Sequence, residues 1–241
     1  MRCRGILLRE TDLSAVGRLQ LEGQLKKDGR TIPLGGEVSD ETRKSITRVR
    51  IGPKVAKIAG GTFARCHNLI DVQFNERLQV IGHGAFEYCT ALRSVTMPST
   101  VTELGRRAFK GCINLTNVRF NEGLQILEDH ALASCKALRA VILPRTVTQV
   151  GQWAFYYCTN LAEVRLNEGL QVVEERAFAS CRTLRSLTVP STVTKLGQHA
   201  FVYCLNLTEV IFLGGEKVLN QDFLAHGHLD GDAKIRYHST R

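Results

Sequence analysis

The chain has 241 residues, 44% of them hydrophobic and 23% charged, which is the composition of a globular protein of one or two domains. No apolar run reaches the roughly 20 residues that a membrane-spanning helix needs. The formal net charge of +9 favours acidic proteins, nucleic acids or anionic surfaces as partners and does not choose among them.

The N-terminus begins as a secretory signal peptide would, with Arg2 and Arg4 ahead of a short apolar stretch. Arg9 and Glu10 end that stretch before it reaches the usual apolar length of about 7–15 residues. We therefore expect a protein that is kept inside the cell, in the cytoplasm.

A repeat of 23 residues dominates the chain from residue 46 onward. Each repeat has a cysteine, a leucine three residues later, a valine or leucine three further on, and a bulky apolar residue two beyond that. The repeating cysteines are Cys66, Cys89, Cys112, Cys135, Cys158, Cys181 and Cys204. A fixed period in this range is typical of a solenoid. The alternation over the last three positions predicts a short strand with one buried face.

The second half of each repeat carries another apolar pair and then, in most repeats, Ala-Phe just before the next cysteine. An eighth, incomplete turn precedes the others, because Ile46, Val49 and Ile51 fit the strand positions while Arg43 occupies the cysteine position. A longer period of 46 residues is superimposed, since Asn-Glu and Pro alternate after successive strands. Both are favourable in turns, so two kinds of turn are predicted to alternate along one edge.

This pattern resembles the BspA-type leucine-rich repeats. One copy reads L-x-x-V-x-M-P-x-x-V-x-x-L-G-x-x-A-F-x-x-C over residues 92–112, and the match extends over residues 46–212 in about eight turns. The resemblance implies an α/β leucine-rich repeat solenoid that is right-handed, with a parallel β-sheet on the concave face and short helical or extended segments on the convex face. It also implies a non-enzymatic binding surface.

The two ends of the chain lack the period. Residues 1–45 are predicted to form an N-terminal capping segment and residues 213–241 a C-terminal cap, because the terminal repeats of a solenoid meet water. The C-terminal cap is expected to add a last strand over residues 233–237. Oligomerisation through imperfectly capped solenoid ends is left open.

The cysteines invite a disulfide or metal interpretation, which the spacing does not favour. Neighbouring turns lie about 4.8 Å apart, whereas the Cβ atoms of a disulfide prefer about 3.8 Å. No histidine or second cysteine recurs with the period, as a zinc site would need. We expect buried free thiols, with no metal and no cofactor. His226, His228 and His238 near the C-terminus are interpreted as part of a polar cap.

Two segments match the acceptor pattern for N-glycosylation, beginning at Asn114 and Asn206. Each asparagine stands at the entry to a predicted strand, where the next residue is a core leucine. We expect these side chains to form hydrogen bonds in turns instead of carrying glycans.

The outward positions of the predicted strands carry a recurring set of arginines. Arg93, Arg139 and Arg185 share one column, and Arg119 and Arg165 share a second, offset column. A protein-binding scaffold would use this concave basic track to bind an acidic partner. A nucleic acid or anionic surface is the alternative, but no aromatic residues interleave with these arginines as single-stranded nucleic acid binding favours. A merely solvated face also fits, since acids occur in the column between them.

Overall fold

The computed structural model of the chain describes residues 5–8, 20–24, 31–35, 40–214 and 234–237. These residues form a parallel-strand solenoid of about seven turns with little helix. Before the repeats lie three strands and one helix: β1 (Gly5–Leu8), β2 (Gln20–Gln24), β3 (Thr31–Gly35) and α1 (Asp40–Ser45). The first strand pairs in antiparallel fashion with β2, which pairs likewise with β3.

Each turn contributes one strand to each of two rows. The first row contains β4 (Arg48–Arg50), β6 (Asp71–Gln73), β8 (Ser94–Thr96), β10 (Asn117–Arg119), β12 (Ala140–Ile142), β14 (Glu163–Arg165), β16 (Ser186–Val189) and β18 (Glu209–Phe212). The second contains β5 (Lys57–Ile58), β7 (Val80–Ile81), β9 (Glu103–Leu104), β11 (Ile126–Leu127), β13 (Gln149–Val150), β15 (Val172–Val173) and β17 (Lys195–Leu196). β19 (Lys234–Tyr237) pairs in parallel with β18, within the region where the sequence predicts a last strand. We call the exposed side of the first row the strand face.

The core lies between the two rows and is built from the periodic apolar positions. In the first row the central residue of each strand is buried between two more exposed neighbours, as at Val95 and Val118. Phenylalanine rings stack between consecutive turns, with centroids 5.2 Å apart for Phe63 and Phe86. The incomplete turn predicted upstream contributes β4 and β5, and its Ile46 and Val55 are buried with the rest.

The remaining side of each turn is a bend that we call the cysteine corner: residues 59–67 and their equivalents every 23 residues. Of the residues that the structure describes, eleven non-glycine residues and three glycines have positive φ, which makes fourteen, two in each of seven corners. A left-handed residue at every fourth position prevents an α-helix from propagating. Amides bond instead to the next turn, as from Phe63 N to Ala85 O at 2.8 Å. Helical or extended segments were expected opposite the first row. The described repeats show turns at the corners and the short extended strands of the second row there, without an α-helix.

The two rows differ in continuity. All seven strands of the second row form one parallel sheet. In the first row, backbone ladders join β4 to β6, β8 to β10, β12 to β14 and β16 to β18. Within the described ranges, no ladder joins one of these pairs to the next. The first row is therefore built in units of two turns, which matches the 46-residue period of the sequence.

The alternating asparagines tie each odd turn to the turn before it. The side-chain amide of Asn75 donates to Gly52 O at 2.7 Å, and that of Asn121 donates to Met97 O. The turns between them carry proline at the equivalent position, which has no N–H to donate to a neighbour. Because asparagine and proline alternate at this position, the asparagine hydrogen bond to the preceding turn is present in only every second turn.

Arg43 closes the cysteine corners at the N-terminal end. Its Nη1 donates to Thr62 O at 3.4 Å and to Ala64 O at 2.5 Å. One turn later, the equivalent carbonyls of Ala85 and Glu87 accept backbone amides from the preceding turn. The guanidinium therefore takes the place of a missing turn, at the position where later repeats have cysteine.

Candidate functional site

All five arginines predicted from the sequence lie exposed on the strand face. Arg119 ends β10 and Arg165 ends β14, while the other three each stand one residue ahead of a strand. The carbonyls of those three, Arg93, Arg139 and Arg185, accept amides from the following turn at 2.8–2.9 Å. Their backbones are therefore held in place while their side chains reach solvent.

The arginines form two lines that cross the strands. Strands in a sheet are about 4.8 Å apart, so arginines two turns apart in one line are separated by about 10 Å. This is close to the Debye length at physiological salt. Mutual repulsion is therefore modest, and an extended anion lying across the strands can meet several of these charges.

Two of the three acids on the strand face are already paired. Glu163 Oε1 lies 2.6 Å from Arg165 Nε, and Glu209 Oε1 lies 2.9 Å from Arg236 Nε. Arg165 is therefore only partly available, although its side chain keeps 68% exposure. In the described part of the chain, Arg93, Arg119, Arg139 and Arg185 have no carboxylate within ion-pair distance.

Two further arginines, not included in the predicted site, extend the strand face toward the N-terminus. Arg48 and Arg50 are exposed at the two ends of β4. Arg50 Nε donates to Gln73 Oε1 at 3.0 Å, and Arg48 lies opposite Asp71, the third acid, in the strand register. In the sequence, Arg50 stands in the same outward column as Arg119 and Arg165, although the predicted site did not include it.

The strand face also exposes two large aliphatic side chains, Ile142 at 57% and Ile70 at 44%. Both occupy outward columns that otherwise contain mostly arginine and threonine. The strand face is thus not uniformly polar.

The cysteine corner contains the predicted thiol column. Seven cysteines are free and buried, and Cys3 lies outside the described residues. Six of the thiols donate to the carbonyl of the residue 26 positions earlier, as from Cys112 Sγ to Phe86 O at 3.2 Å. Burial raises the pKa of the Cys112 and Cys158 thiols to about 12. Neutral, hydrogen-bonded thiols of this kind are core groups, with little nucleophilic character.

A cluster of aromatic and cationic side chains covers part of the same corner and was not predicted. The guanidinium of Arg176 lies 4.8 Å from the ring centroid of Trp153, which contacts Tyr156 edge-on at 4.8 Å. Lys136 and Arg182 approach the ring of Tyr157 at 5.3 and 5.7 Å. The only sequence signal was four aromatic residues in one turn, Trp153, Phe155, Tyr156 and Tyr157, since the cations come from neighbouring turns.

The remaining polar candidates have structural roles where they are described. The side-chain amides of Asn114 and Asn206 donate to Thr90 O and Arg182 O, which confirms their predicted role in turns. The three C-terminal histidines lie outside the described residues. Among the residues described, no three His, Cys, Asp or Glu side chains group as a metal site would require, and no helix could cross a membrane.

This architecture is similar to that of known leucine-rich repeat proteins. The model of a BspA type leucine rich repeat region, in six copies, matches residues 41–162 and 79–208. A leucine-rich repeat protein from T. pallidum, TpLRR, has a sequence 30% identical to this chain. The aligned region covers 66% of this chain and 77% of that chain, and its crystal structure has a TM-score of 0.62 against this one. A leucine-rich repeat protein from Bacteroides ovatus is 16% identical over 96% of this chain and 75% of that chain, and its TM-score of 0.60 reflects the shared fold alone.

No protein with a curated description matches the chain. Leucine-rich repeats of this kind generally serve as protein-interaction scaffolds and are typically not enzymes. The matched ranges together span residues 41–208, which is well over half of the sequence. The chain therefore belongs to the BspA-type leucine-rich repeat family.

Proposed function

We propose that this chain is a non-enzymatic scaffold that binds an acidic protein segment on its strand face, through Arg93, Arg119, Arg139, Arg165 and Arg185. The observation that carries the proposal is the exposure of these side chains on one face, four of them without a carboxylate partner among the described residues. Arginine suits the role, because its planar fork can pair with a carboxylate through two hydrogen bonds.

The placement of the aromatic rings supports a protein partner over a single-stranded nucleic acid. A nucleic acid binder combines cations with exposed rings on which bases stack. The outward columns of the strand face contain no aromatic residue in the described repeats. At the cysteine corner, Trp153, Tyr156 and Tyr157 contact one another or the cations Arg176, Lys136 and Arg182. The exposed ring of Tyr203 also lies at this corner and not among the arginines of the strand face.

The test uses two labelled probes of equal charge, a glutamate-rich peptide and an oligouridine RNA. The first variant changes Arg93, Arg139 and Arg185 together to serine. Its matched control removes the same charge away from the strand face, by changing Lys57, Arg65 and Arg106 to serine. We expect the native chain to bind the peptide, with about tenfold or greater loss in the strand-face variant, because each charged contact contributes about 0.5 kcal/mol or more when several act together.

Added salt should weaken peptide binding by the native chain and the control alike, since the contacts are exposed charges. Equal loss in the two triple variants would mean that net charge alone attracts the peptide, which contradicts the proposal. Tighter binding of the RNA than of the peptide would instead support the nucleic acid alternative.

The proposal extends to the ends of the chain and to its compartment. Residues 1–45 and 213–241 act as caps, supported by the parallel pairing of β1 with β4 and of β19 with β18. An intracellular location is supported by the buried free thiols, because disulfides predominate in secreted proteins. Association of copies through the solenoid ends also remains part of the proposal.

A further inference from the structure

Ile142 is the most exposed large aliphatic residue of the strand face. It ends β12, where the preceding Val141 points into the core and Ile142 itself is 57% exposed. Ala140 on the same strand is half-buried, and Ala162, at the entry to the next strand, is exposed. Ile142 and Ala140 make a small apolar island in the middle of the solenoid, while Ala162 lies opposite Arg139, whose carbonyl accepts its amide at 2.9 Å.

Arginines surround this island on three sides. Arg165 lies directly opposite Ile142 in the strand register of the following turn, where it also pairs with Glu163, so a ligand carboxylate has to share it or displace that acid. Arg119 holds the same column one turn earlier, and Arg139 stands three residues ahead of Ile142 on its own turn. Ile70 differs, because its neighbours one turn away in its column are Thr47 and Arg93, so a cation lies on one side only.

We propose that Ile142 is an apolar anchor point for a segment that carries an aliphatic side chain between two carboxylates. This inference rests on the proposed function and specifies its partner. In an extended segment, alternate side chains point to the same side and lie about 6.7 Å apart. An aliphatic residue seated on Ile142 therefore directs the carboxylates two positions before and after it toward Arg119 and Arg165.

The apolar contact supplies selectivity that charge alone lacks. Exposed ion pairs contribute little each and accept any anion. Covering Ile142 with a leucine side chain removes apolar surface from water on both partners, which raises affinity by about tenfold at the usual hydrophobic coefficient. The surrounding arginines then reject a segment that places cations beside its aliphatic residue.

The experiment compares two peptides that share an acidic framework. One has the core Asp-Ser-Leu-Ser-Asp, and the other has serine in place of the leucine. Binding is measured by fluorescence anisotropy at low salt for the native chain, for Ile142→Thr, and for the matched control Ile70→Thr. Threonine keeps the branched shape that suits a strand, so the fold should be preserved in both variants.

We expect the native chain and the Ile70→Thr control to prefer the leucine peptide by about tenfold. The Ile142→Thr variant should bind the two peptides almost equally. If the native chain binds both peptides alike, and the triple arginine variant loses both, the anchor is wrong while the proposed function stands. If the native chain binds neither peptide, both proposals are wrong.

Discussion

The strand face and the cysteine corner both carry cations, but they present them differently. On the strand face, Arg93 and Arg119 project into solvent with no acid or aromatic ring against them among the described residues. At the corner, Arg176 lies over Trp153 and also pairs with Glu175 at 2.6 Å. The cations of both regions contribute equally to the formal net charge of +9. Whether a cation is available to a partner therefore depends on what its side chain already contacts.

The largest expected effect concerns the core that supports both regions. Leu138 is completely buried in a central turn. Its replacement by alanine should lower the free energy of unfolding by about 2–5 kcal/mol, because it removes apolar contacts and leaves a cavity. Urea denaturation of the variant and the native chain measures the difference. A neutral result would show that the periodic leucines are not the core shared by the two regions.

The next prediction concerns the pH dependence of stability that the thiol column causes. This column lies only at the cysteine corner. Burial raises the pKa of Cys112 from 9.0 to about 12. The stability that comes from keeping this thiol protonated is therefore fully present below pH 9, and is lost as the pH rises toward 12. The loss for one such thiol has a slope of about 1.4 kcal/mol per pH unit.

The variant Cys112→Ser keeps a donor at this position but does not titrate in this range. Stability curves measured from pH 8 to 11 should therefore fall less steeply for the variant than for the native chain. The difference corresponds to about one proton. Parallel curves would show that the Cys112 thiol is not protected from ionisation in the folded chain.

The smallest expected effect comes from a variant that alters the cysteine corner and leaves the strand face unchanged. Changing Trp153 to alanine removes its contacts with Tyr156 and Arg176 and should lower stability by about 1–2 kcal/mol. Binding of the glutamate-rich peptide should not change. The triple arginine variant should behave in the opposite way, with stability within about 0.5 kcal/mol per site. Loss of peptide binding in the Trp153 variant would assign part of the binding surface to the corner.

The burial of a residue could be predicted from the sequence wherever its position in the repeat has the same surroundings in every turn. The 23-residue period identified the buried columns, because residues such as Val95 and Val118 meet the same neighbours one turn apart. The same logic placed the five arginines on one exposed face. The 46-residue period was visible as alternating Asn and Pro, but not its consequence that the first row of strands pairs in units of two turns.

The thiol column of the cysteine corner was predicted, but the backbone conformation of the corner could not be, because it contradicts local preference. Left-handed backbone favours glycine, yet Trp153, Arg176 and Tyr157 all have positive φ. Contacts with neighbouring turns hold these residues in place, and no single repeat contains both members of most of the cation–ring pairs. The pairing of Arg165 with Glu163 was missed for a simpler reason, since side-chain rotamers decide whether neighbouring charges meet.

Arg43 has a consequence for growth of the solenoid into a polymer. A chain of identical turns could in principle extend without limit, each copy adding its last turn to the first turn of the next. At the N-terminal end the carbonyls of Thr62 and Ala64, which such a neighbour would need, are already held by the Arg43 guanidinium. Addition by backbone pairing at this corner would first have to break those bonds. One arginine in the place of a cysteine thus opposes backbone pairing at this corner, so copies that associate through the solenoid ends have to use other contacts.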